Sequence, residues 1–277
     1  MALAPLKFRL NGAPVDNEPH AYIAALRNSH GRLASLVEAM SEEQLTGQSY
    51  DTDWTVAQVL SHLGSGAEIA MLMLEATLAG QPMDRDVVAP IWDTWNAKTP
   101  QQQAADCLPS DEAHIKRLEG LTDAELDGIS ADFFGMKLDA AGLVRMRLSE
   151  HAVHTWDVAV SLDPAAEVAP DAVELLMAQL PRLAGWTGKA DGGPFRLRLR
   201  GTDPEADFVL EVADKVTLGA WPGEGPAGAA ADGQVQMPSE ALLRLVYGRL
   251  DPGHTPPVEM SGDPGLLDRA RAALPGL

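Results

Sequence analysis

The sequence predicts an α plus α+β protein, with a helical bundle over residues 1–188 and a small α+β domain over residues 189–277. Apolar residues recur at helical spacing through the first part of the chain, and a linker containing glycine and proline follows at residues 189–194. Beyond the linker, residues 195–200 alternate strictly between apolar and basic, which is typical of a half-buried strand. A length of 277 residues also suits about two domains, at roughly 150 residues each.

The N-terminal region is expected to form a bundle of helices. Thr55 and Gln58 match the capping-box pattern of a helix start, in which each side chain binds the other residue's backbone amide. Pro109 should break any helix that crosses it, so a short helix is expected to begin afresh at Ser110. The expected helices lie at about residues 18–40 and 55–80, from residue 110 onward, and at about residues 138–162 and 171–184.

The C-terminal region is expected to hold three strands followed by two helices. Residues 213–215 suit a tight connection between strands, and the segment 222–233, rich in glycine, proline and alanine, is expected to be a loop. Ser239 is expected to cap the first helix. The second helix is expected to begin near Asp263, with Pro264 in its first turn, where a missing amide costs least. The expected strands are residues 195–200, 208–212 and 216–218.

The acidic composition excludes several classes of partner. Asp and Glu number 40 against 21 Lys and Arg, for a formal net charge of −19. This balance disfavours the basic surface that nucleic acids and anionic membranes require, so neither is expected as a partner. The single cysteine, Cys107, cannot form an internal disulfide, and no apolar run approaches the roughly 20 residues that span a bilayer. A cytoplasmic monomer or homodimer is therefore expected.

The segment around residue 150 carries the most informative polar pattern. On a helix, Arg147, Glu150, His154 and Asp157 follow at steps of three and four residues and share one face, beside an apolar row. Charged groups that adjoin an apolar row are partly desolvated, which is costly unless they are paired or bind a cation. The pattern therefore indicates that these side chains have a partner.

A divalent metal is one such partner. Glu150 and His154 lie one helical turn apart, so a carboxylate oxygen and an imidazole nitrogen can converge on one ion, and His62 on the second helix can supply a third ligand. Two imidazoles and a carboxylate with a vacant position describe an open catalytic Zn²⁺ site, with Asp157 orienting a ligand histidine. A packed core histidine and an ordinary surface Glu/His pair would give the same spacing, so this interpretation stays open on spacing alone.

Two segments resemble the signatures of a known family. Residues 53–63, DWTVAQVLSHL, resemble the W-T-V-x-x-x-L-x-H-L opening of the mycothiol-dependent maleylpyruvate isomerase family, within the DinB-like metalloenzyme superfamily. Residues 150–159, EHAVHTWDVA, are similar to its second signature, E-x-x-x-H-x-W-D-L-A. Residues 214–220 and 242–249 resemble the family's sterol-carrier-like C-terminal domain. The resemblance therefore implies a DinB-like bundle followed by that small domain.

The resemblance also implies a set of functional residues. The metal ligands transfer to His62, Glu150 and His154, and Asp157 matches the aspartate that follows them. Arg249 is the one position carried over as a substrate-binding residue of the C-terminal domain. His151 has no counterpart, and its direction, about 100° from Glu150 around the helix, makes it an unsuitable ligand. It is expected to be a neutral residue beside the site or at the surface.

The implied function is that of a metal-dependent enzyme that activates a small-molecule thiol. The cofactor would be a divalent metal, with Zn²⁺ as the first choice. The cosubstrate would be mycothiol, the small-molecule thiol of actinobacteria. The enzyme would be an isomerase, if the thiolate adds to a double bond of an electrophilic substrate and leaves again, or an S-transferase, if the thiol stays attached. The net negative charge of the chain favours an electrophile that is itself neutral. Two alternatives remain: a metal-dependent hydrolase that activates water, and a non-catalytic protein that binds a small molecule.

Overall fold

The computed structural model divides the chain into two compact units. It describes residues 9–10, 13–14, 18–133, 136–223 and 230–276. The first unit ends at Ala166, and the second begins at Glu167 and includes the short antiparallel strands β1 (Arg9–Leu10) and β2 (Ala13–Pro14).

The first unit is predominantly helical. Four long helices, α1, α3, α5 and α7, form the bundle: α1 and α3 each contact both α5 and α7. A short antiparallel hairpin, β3 and β4, precedes α7. The elements of the unit are α1 (Pro19–Glu38), α2 (Glu42–Thr46), α3 (Val56–Leu78), α4 (Val88–Asn96), α5 (Pro100–Glu119), α6 (Asp123–Gly128), β3 (Ala131–Phe133), β4 (Met136–Leu138) and α7 (Ala140–Ala159).

The expected helices that follow a regular apolar stripe are confirmed. The helices α1, α3 and α7 occupy the segments that periodicity predicts, and their apolar faces are buried in the bundle. The capping box at the start of α3 is also confirmed: the Gln58 amide donates to the Thr55 hydroxyl, and the Thr55 amide donates to the Gln58 side chain. This box fixes where α3 begins and therefore which of its residues face the core.

The expected break at Pro109 is wrong, because α5 runs through it without interruption. The helix begins earlier, at a capping box formed by Thr99 and Gln102. The proline costs up to about 3 kcal/mol in a helix interior, but tertiary packing opposes that cost. A Cβ at Gly64 of α3 would lie 3.1 Å from the Cα of Cys107, so the two helices approach closely here. The Ser110 hydroxyl also donates to the Gly64 carbonyl at 2.9 Å.

The second unit is built on a five-stranded sheet in the order β7-β6-β5-β8-β9. The pair β5 and β8 is parallel, and the other neighbours are antiparallel. A 3₁₀ turn at Met177–Gln179 joins the first two helices. The elements are α8 (Pro170–Leu176), α9 (Leu180–Thr187), β5 (Phe195–Thr202), β6 (Ala206–Val212), β7 (Val216–Ala220), β8 (Gly233–Pro238), α10 (Ser239–Val246), β9 (Glu259–Gly262) and α11 (Leu266–Ala273).

The three strands expected after the linker are confirmed, and two strands were not expected. The strand β8 begins at the end of the segment taken as a loop, 222–233, of which residues 224–229 lie outside the described residues. All four residues of β9 are exposed, so its sequence has no buried alternation to detect. Ser239 is also not a cap: it is the first residue of α10, and its hydroxyl donates to the Pro204 carbonyl at 2.6 Å.

The boundary between the units differs from the one expected after residue 188. The helix α9 packs on β7, and a Cβ at Gly188 would lie 2.5 Å from Cβ of Val216 on that strand. The Lys189 amide donates to the Ala273 carbonyl at 2.9 Å. The helices at residues 170–187 therefore belong with the sheet rather than with the bundle. Among the described residues, no helix combines the length and apolarity needed to cross a membrane.

Replacing Gly31 with alanine should stabilise the first unit. Gly31 lies inside α1, and a Cβ there would meet no heavy atom within 4 Å. Glycine in a helix interior costs about 0.5–1 kcal/mol relative to alanine, so Gly31→Ala should raise the free energy of unfolding in urea by about that amount. Gly80→Ala is the comparison variant and should lower the free energy of unfolding, because Gly80 follows α3 with φ +65°, a conformation that strains alanine. A lower free energy of unfolding for Gly31→Ala would contradict the placement of Gly31 inside α1 with open space beside it.

Candidate metal centre

Three candidate ligands lie at the contact between α3 and α7. The helix α3 carries His62, and α7 carries Glu150 and His154 one turn apart. Both helices have fixed starts, α3 at its capping box and α7 at Asp139, whose carboxylate accepts the Gly142 amide at 2.7 Å. The start of each helix and its buried stripe determine which side chains face the partner helix, so sequence positions far apart meet at one point.

The three side chains converge on a common position. His62 Nε2 lies 3.2 Å from Glu150 Oε2, and His154 Nε2 lies 3.7 Å from the same oxygen. One ligand atom from each residue lies within 4.8 Å of the other two. Two imidazole nitrogens and one carboxylate oxygen are a donor set that divalent Zn²⁺ accepts, with room for a further ligand. The arrangement therefore fits a metal ion.

The protonation states of two of these residues also suit a metal. Partial burial lowers the pKa of His62, and this effect outweighs the hydrogen bond with Glu150. Burial alone would raise the pKa of Glu150, but the hydrogen bond with His62 and the neighbouring imidazole of His154 hold it at about 2. At neutral pH, His62 is therefore a neutral imidazole and Glu150 a carboxylate. A neutral imidazole and an ionised carboxylate are the forms in which these residues bind a metal ion.

Asp157 orients the third ligand. Its Oδ2 lies 2.8 Å from Nδ1 of His154, and its side chain is completely buried. A carboxylate at this distance can accept a proton from Nδ1, and Nε2 of His154 is directed toward Glu150. The Asp157 backbone is fixed as well, because the Tyr50 amide donates to its carbonyl at 3.3 Å.

Trp54 lies beside both candidate imidazole ligands. Its ring centroid is 5.1 Å from that of His62 and 6.1 Å from that of His154, and the two imidazole centroids are 4.8 Å apart. The sequence places Trp54 immediately before Thr55, so the capping box that begins α3 also places this ring. Trp156, in contrast, is buried against Tyr50 and donates from Nε1 to the Ala166 carbonyl, so it anchors the fold.

A second polar cluster, which sequence reasoning missed, lies in the same bundle. His30 Nδ1 and His151 Nε2 each lie 2.8 Å from Asp111 Oδ2, and Arg147 donates to Asp111 Oδ1 at 2.9 Å. The Ser29 hydroxyl lies 2.8 Å from His151 Nδ1. His151 is therefore fully buried rather than at the surface, and burial lowers its pKa, so it is neutral.

A pattern in α5 could have revealed this cluster. If the helix is allowed to cross Pro109, Asp111 lies four residues after Cys107 and four before Ile115, within a buried apolar stripe. A charged residue in such a stripe needs a partner. The assumed break at Pro109 concealed that requirement.

The second cluster is not suited to a dication, although His30, Asp111 and His151 also offer ligand atoms within 4.8 Å of one another. Burial alone would raise the pKa of Asp111, but His151, His30 and Arg147 hold it well below its usual range, so it is a carboxylate. The guanidinium of Arg147 already balances that charge, and it would repel a divalent ion at the same oxygens.

Arg249 lies in the second unit and is buried, with Nη1 donating to the Tyr247 carbonyl at 2.8 Å. This contact stabilises the end of α10. The role of Arg249 in binding substrate stays a prediction.

The first unit is a bundle of four long helices in which His62, Glu150 and His154 could hold a metal ion. Two family models match the chain: the mycothiol maleylpyruvate isomerase N-terminal domain over residues 26–159, and the MDMPI C-terminal domain over residues 167–269. The chain belongs to the mycothiol-dependent maleylpyruvate isomerase family, which is a family of enzymes.

Individual relatives support the fold over most of the chain. A crystal structure of the mycothiol-dependent maleylpyruvate isomerase matches with a TM-score of 0.62 at 13% identity, covering 88% of this chain and 93% of that one. A histidine-to-alanine mutant of such an enzyme matches with a TM-score of 0.60 at 12% identity, covering 84% and 90%. A Geobacillus thermodenitrificans protein, named as a metal-dependent hydrolase by similarity, is 31% identical over 118 residues. That match spans 43% of this chain and 59% of the relative's length.

Replacing Asp157 with asparagine should weaken metal binding. The amide keeps the shape of the side chain but removes the negative charge beside His154, and changes to such supporting groups typically cost about 10–100-fold in metal affinity. Competition with a chromophoric chelator on the full-length protein would measure the loss. Asp214→Asn, in the exposed turn between β6 and β7, is the matched control and should bind as the wild type does. Equal affinities for the two variants would contradict the role of Asp157.

Proposed function

We propose that this protein is a metal-dependent enzyme that binds mycothiol and uses its thiolate either to isomerise an electrophilic substrate about a double bond or to remain attached to that substrate through sulfur, which is S-transfer. The observation that carries the proposal is the convergence of His62, Glu150 and His154 within the segment that matches the family's N-terminal domain. The family name favours isomerisation over S-transfer. Zn²⁺ is the proposed metal because two imidazoles and a carboxylate are typical of its catalytic sites.

A divalent metal at this site would supply electrostatic stabilisation of a thiolate relative to its thiol at neutral pH. The side chains of the site would position the metal and its ligands. Asp157 holds His154 with Nε2 directed at Glu150, and the low pKa of Glu150 keeps the site anionic before a cation binds. Trp54 places an aromatic ring next to both imidazoles.

The chain's own thiol does not serve as the nucleophile. Cys107 is completely buried in the core, and burial, with the nearby charge of Asp111, raises its pKa to about 12. A thiolate at neutral pH therefore requires a sulfur from outside the chain. This supports a thiol cosubstrate.

A hydrolase is the second candidate, because the Geobacillus relative is named for metal-dependent hydrolysis. The same three ligands would then activate water. The two candidates differ in whether product formation requires added thiol.

The proposed thiol-dependent enzyme should form product from an activated alkene or other electrophile only when mycothiol is present, as followed by chromatography. Product formed at the same rate in thiol-free buffer would favour the hydrolase.

His62→Ala should abolish both metal uptake and thiol-dependent turnover. The substitution removes one of three ligands while the capping box of α3 and its buried stripe remain, so the helical circular dichroism should be retained. Metal content after gentle purification, measured by inductively coupled plasma mass spectrometry, is the direct measurement. His20→Ala is the matched control, because His20 lies on exposed α1 surface near Asp123, outside both clusters. A His62→Ala protein that keeps stoichiometric metal and turnover would overturn the proposal.

A further inference from the structure

The second polar cluster connects the two helices that carry the candidate metal ligands. Arg147 on α7 donates from Nη2 to two acceptors: Asp111 Oδ1 on α5 at 2.9 Å and the Leu63 carbonyl on α3 at 2.8 Å. Leu63 directly follows His62, and Arg147 precedes Glu150 by three residues, which is about one turn. One guanidinium therefore joins α7 to α3 next to a ligand on each helix.

The guanidinium is held in place from two sides. His30 and His151 fix the Asp111 carboxylate from α1 and α7. Gly66, one turn beyond His62 on α3, leaves the space that Arg147 fills, since a Cβ at Gly66 would lie 2.9 Å from Nη1. The end of this arginine cannot swing aside freely, because its other nitrogen is bound to both Asp111 and Leu63.

Stability alone does not explain a charged pair at this position. Replacing a buried ion pair with apolar side chains of similar volume is often neutral or stabilising, because taking two charges out of water is costly. The pair does, however, make directional contacts that an apolar replacement cannot make. These contacts fix how α3 and α7 lie relative to each other.

We propose that Asp111 and Arg147 are positioning residues, which hold His62 and Glu150 at the separation that the metal ion requires. This inference rests on the proposed function, since it assumes that His62, Glu150 and His154 bind a metal. Neither residue is expected to bind the ion itself. Their effect is expected in the affinity of the metal and in the geometry of its ligands.

Gly66→Ala tests the proposal without changing any charge. The new methyl group should displace the Arg147 guanidinium from the Leu63 carbonyl. Metal-free full-length protein would be titrated with Co²⁺, whose visible absorption reports ligand geometry, unlike that of d¹⁰ Zn²⁺. We expect Co²⁺ binding to weaken about tenfold or more and the absorption bands to shift. Gly31→Ala on α1 is the matched control and should leave affinity and spectrum unchanged. Wild-type binding and spectrum in Gly66→Ala would overturn the proposal.

The variant Asp111→Leu/Arg147→Met separates positioning from packing. Each single substitution leaves one partner buried without its counter-charge and should lower the thermal midpoint. The double variant should recover part of the lost midpoint, because His30 and His151 still lack their acceptor. Its Co²⁺ affinity should remain about tenfold or more below that of the wild type, because the contact to Leu63 is still missing. Recovery of both midpoint and wild-type Co²⁺ spectrum would show that the pair only packs, and would overturn the proposal. If the double variant fails to fold, Gly66→Ala decides the question.

The wild-type titration separates this inference from the proposed function. A wild-type protein that takes up no Co²⁺ overturns the proposed metal site and, with it, the positioning role. A wild-type protein that binds one equivalent, while Gly66→Ala and the double variant bind equally well, overturns only the positioning role.

Discussion

The burial of one carboxylate, that of Asp111, constrains the arrangement of the whole bundle. An ionised carboxylate in a core costs several kcal/mol unless it is paired and hydrogen-bonded. Asp111 meets this requirement with His30 from α1 and with Arg147 and His151 from α7, and Arg147 extends the network to the Leu63 carbonyl on α3. All four long helices are therefore tied to one point. Apolar packing alone tolerates small rotations of a helix, but these directional contacts do not.

The two polar clusters of the bundle contain similar residues but differ in charge balance. The negative charge of Asp111 is balanced by the guanidinium of Arg147. Glu150 instead contacts two imidazoles, and that of His62 is neutral at neutral pH because partial burial lowers its pKa. The carboxylate oxygen and the two ring nitrogens face one another there. A cation would satisfy the cluster of His62, Glu150 and His154, whereas Arg147 already supplies a positive charge to the Asp111 cluster.

The sequence predicted those parts of the structure that local patterns determine. The apolar stripes and the Thr55 capping box placed α1, α3 and α7, and the spacing of Glu150, His154 and Asp157 put them on one face. Tertiary packing determined the rest. Close approach of α3 at Gly64 keeps α5 helical through Pro109, which brings Asp111 into the core, and β9 joins the sheet without a buried face. A local rule for proline cannot anticipate such compensation from a neighbouring helix.

The composition of the donor set determines the charge that a bound nucleophile would meet. One carboxylate and two imidazole lone pairs neutralise only half the charge of a divalent ion, so the site keeps a net positive charge after the metal binds. A site with two carboxylates would be neutral and would attract an anion less strongly. A residual positive charge at His62, Glu150 and His154 would stabilise either anion, a thiolate or the hydroxide formed from water, so these ligands are compatible with both candidate activities. The candidates differ in the source of the nucleophile: Cys107 is buried with its pKa raised to about 12, so a thiolate would have to come from a cosubstrate, whereas a hydrolase needs only water.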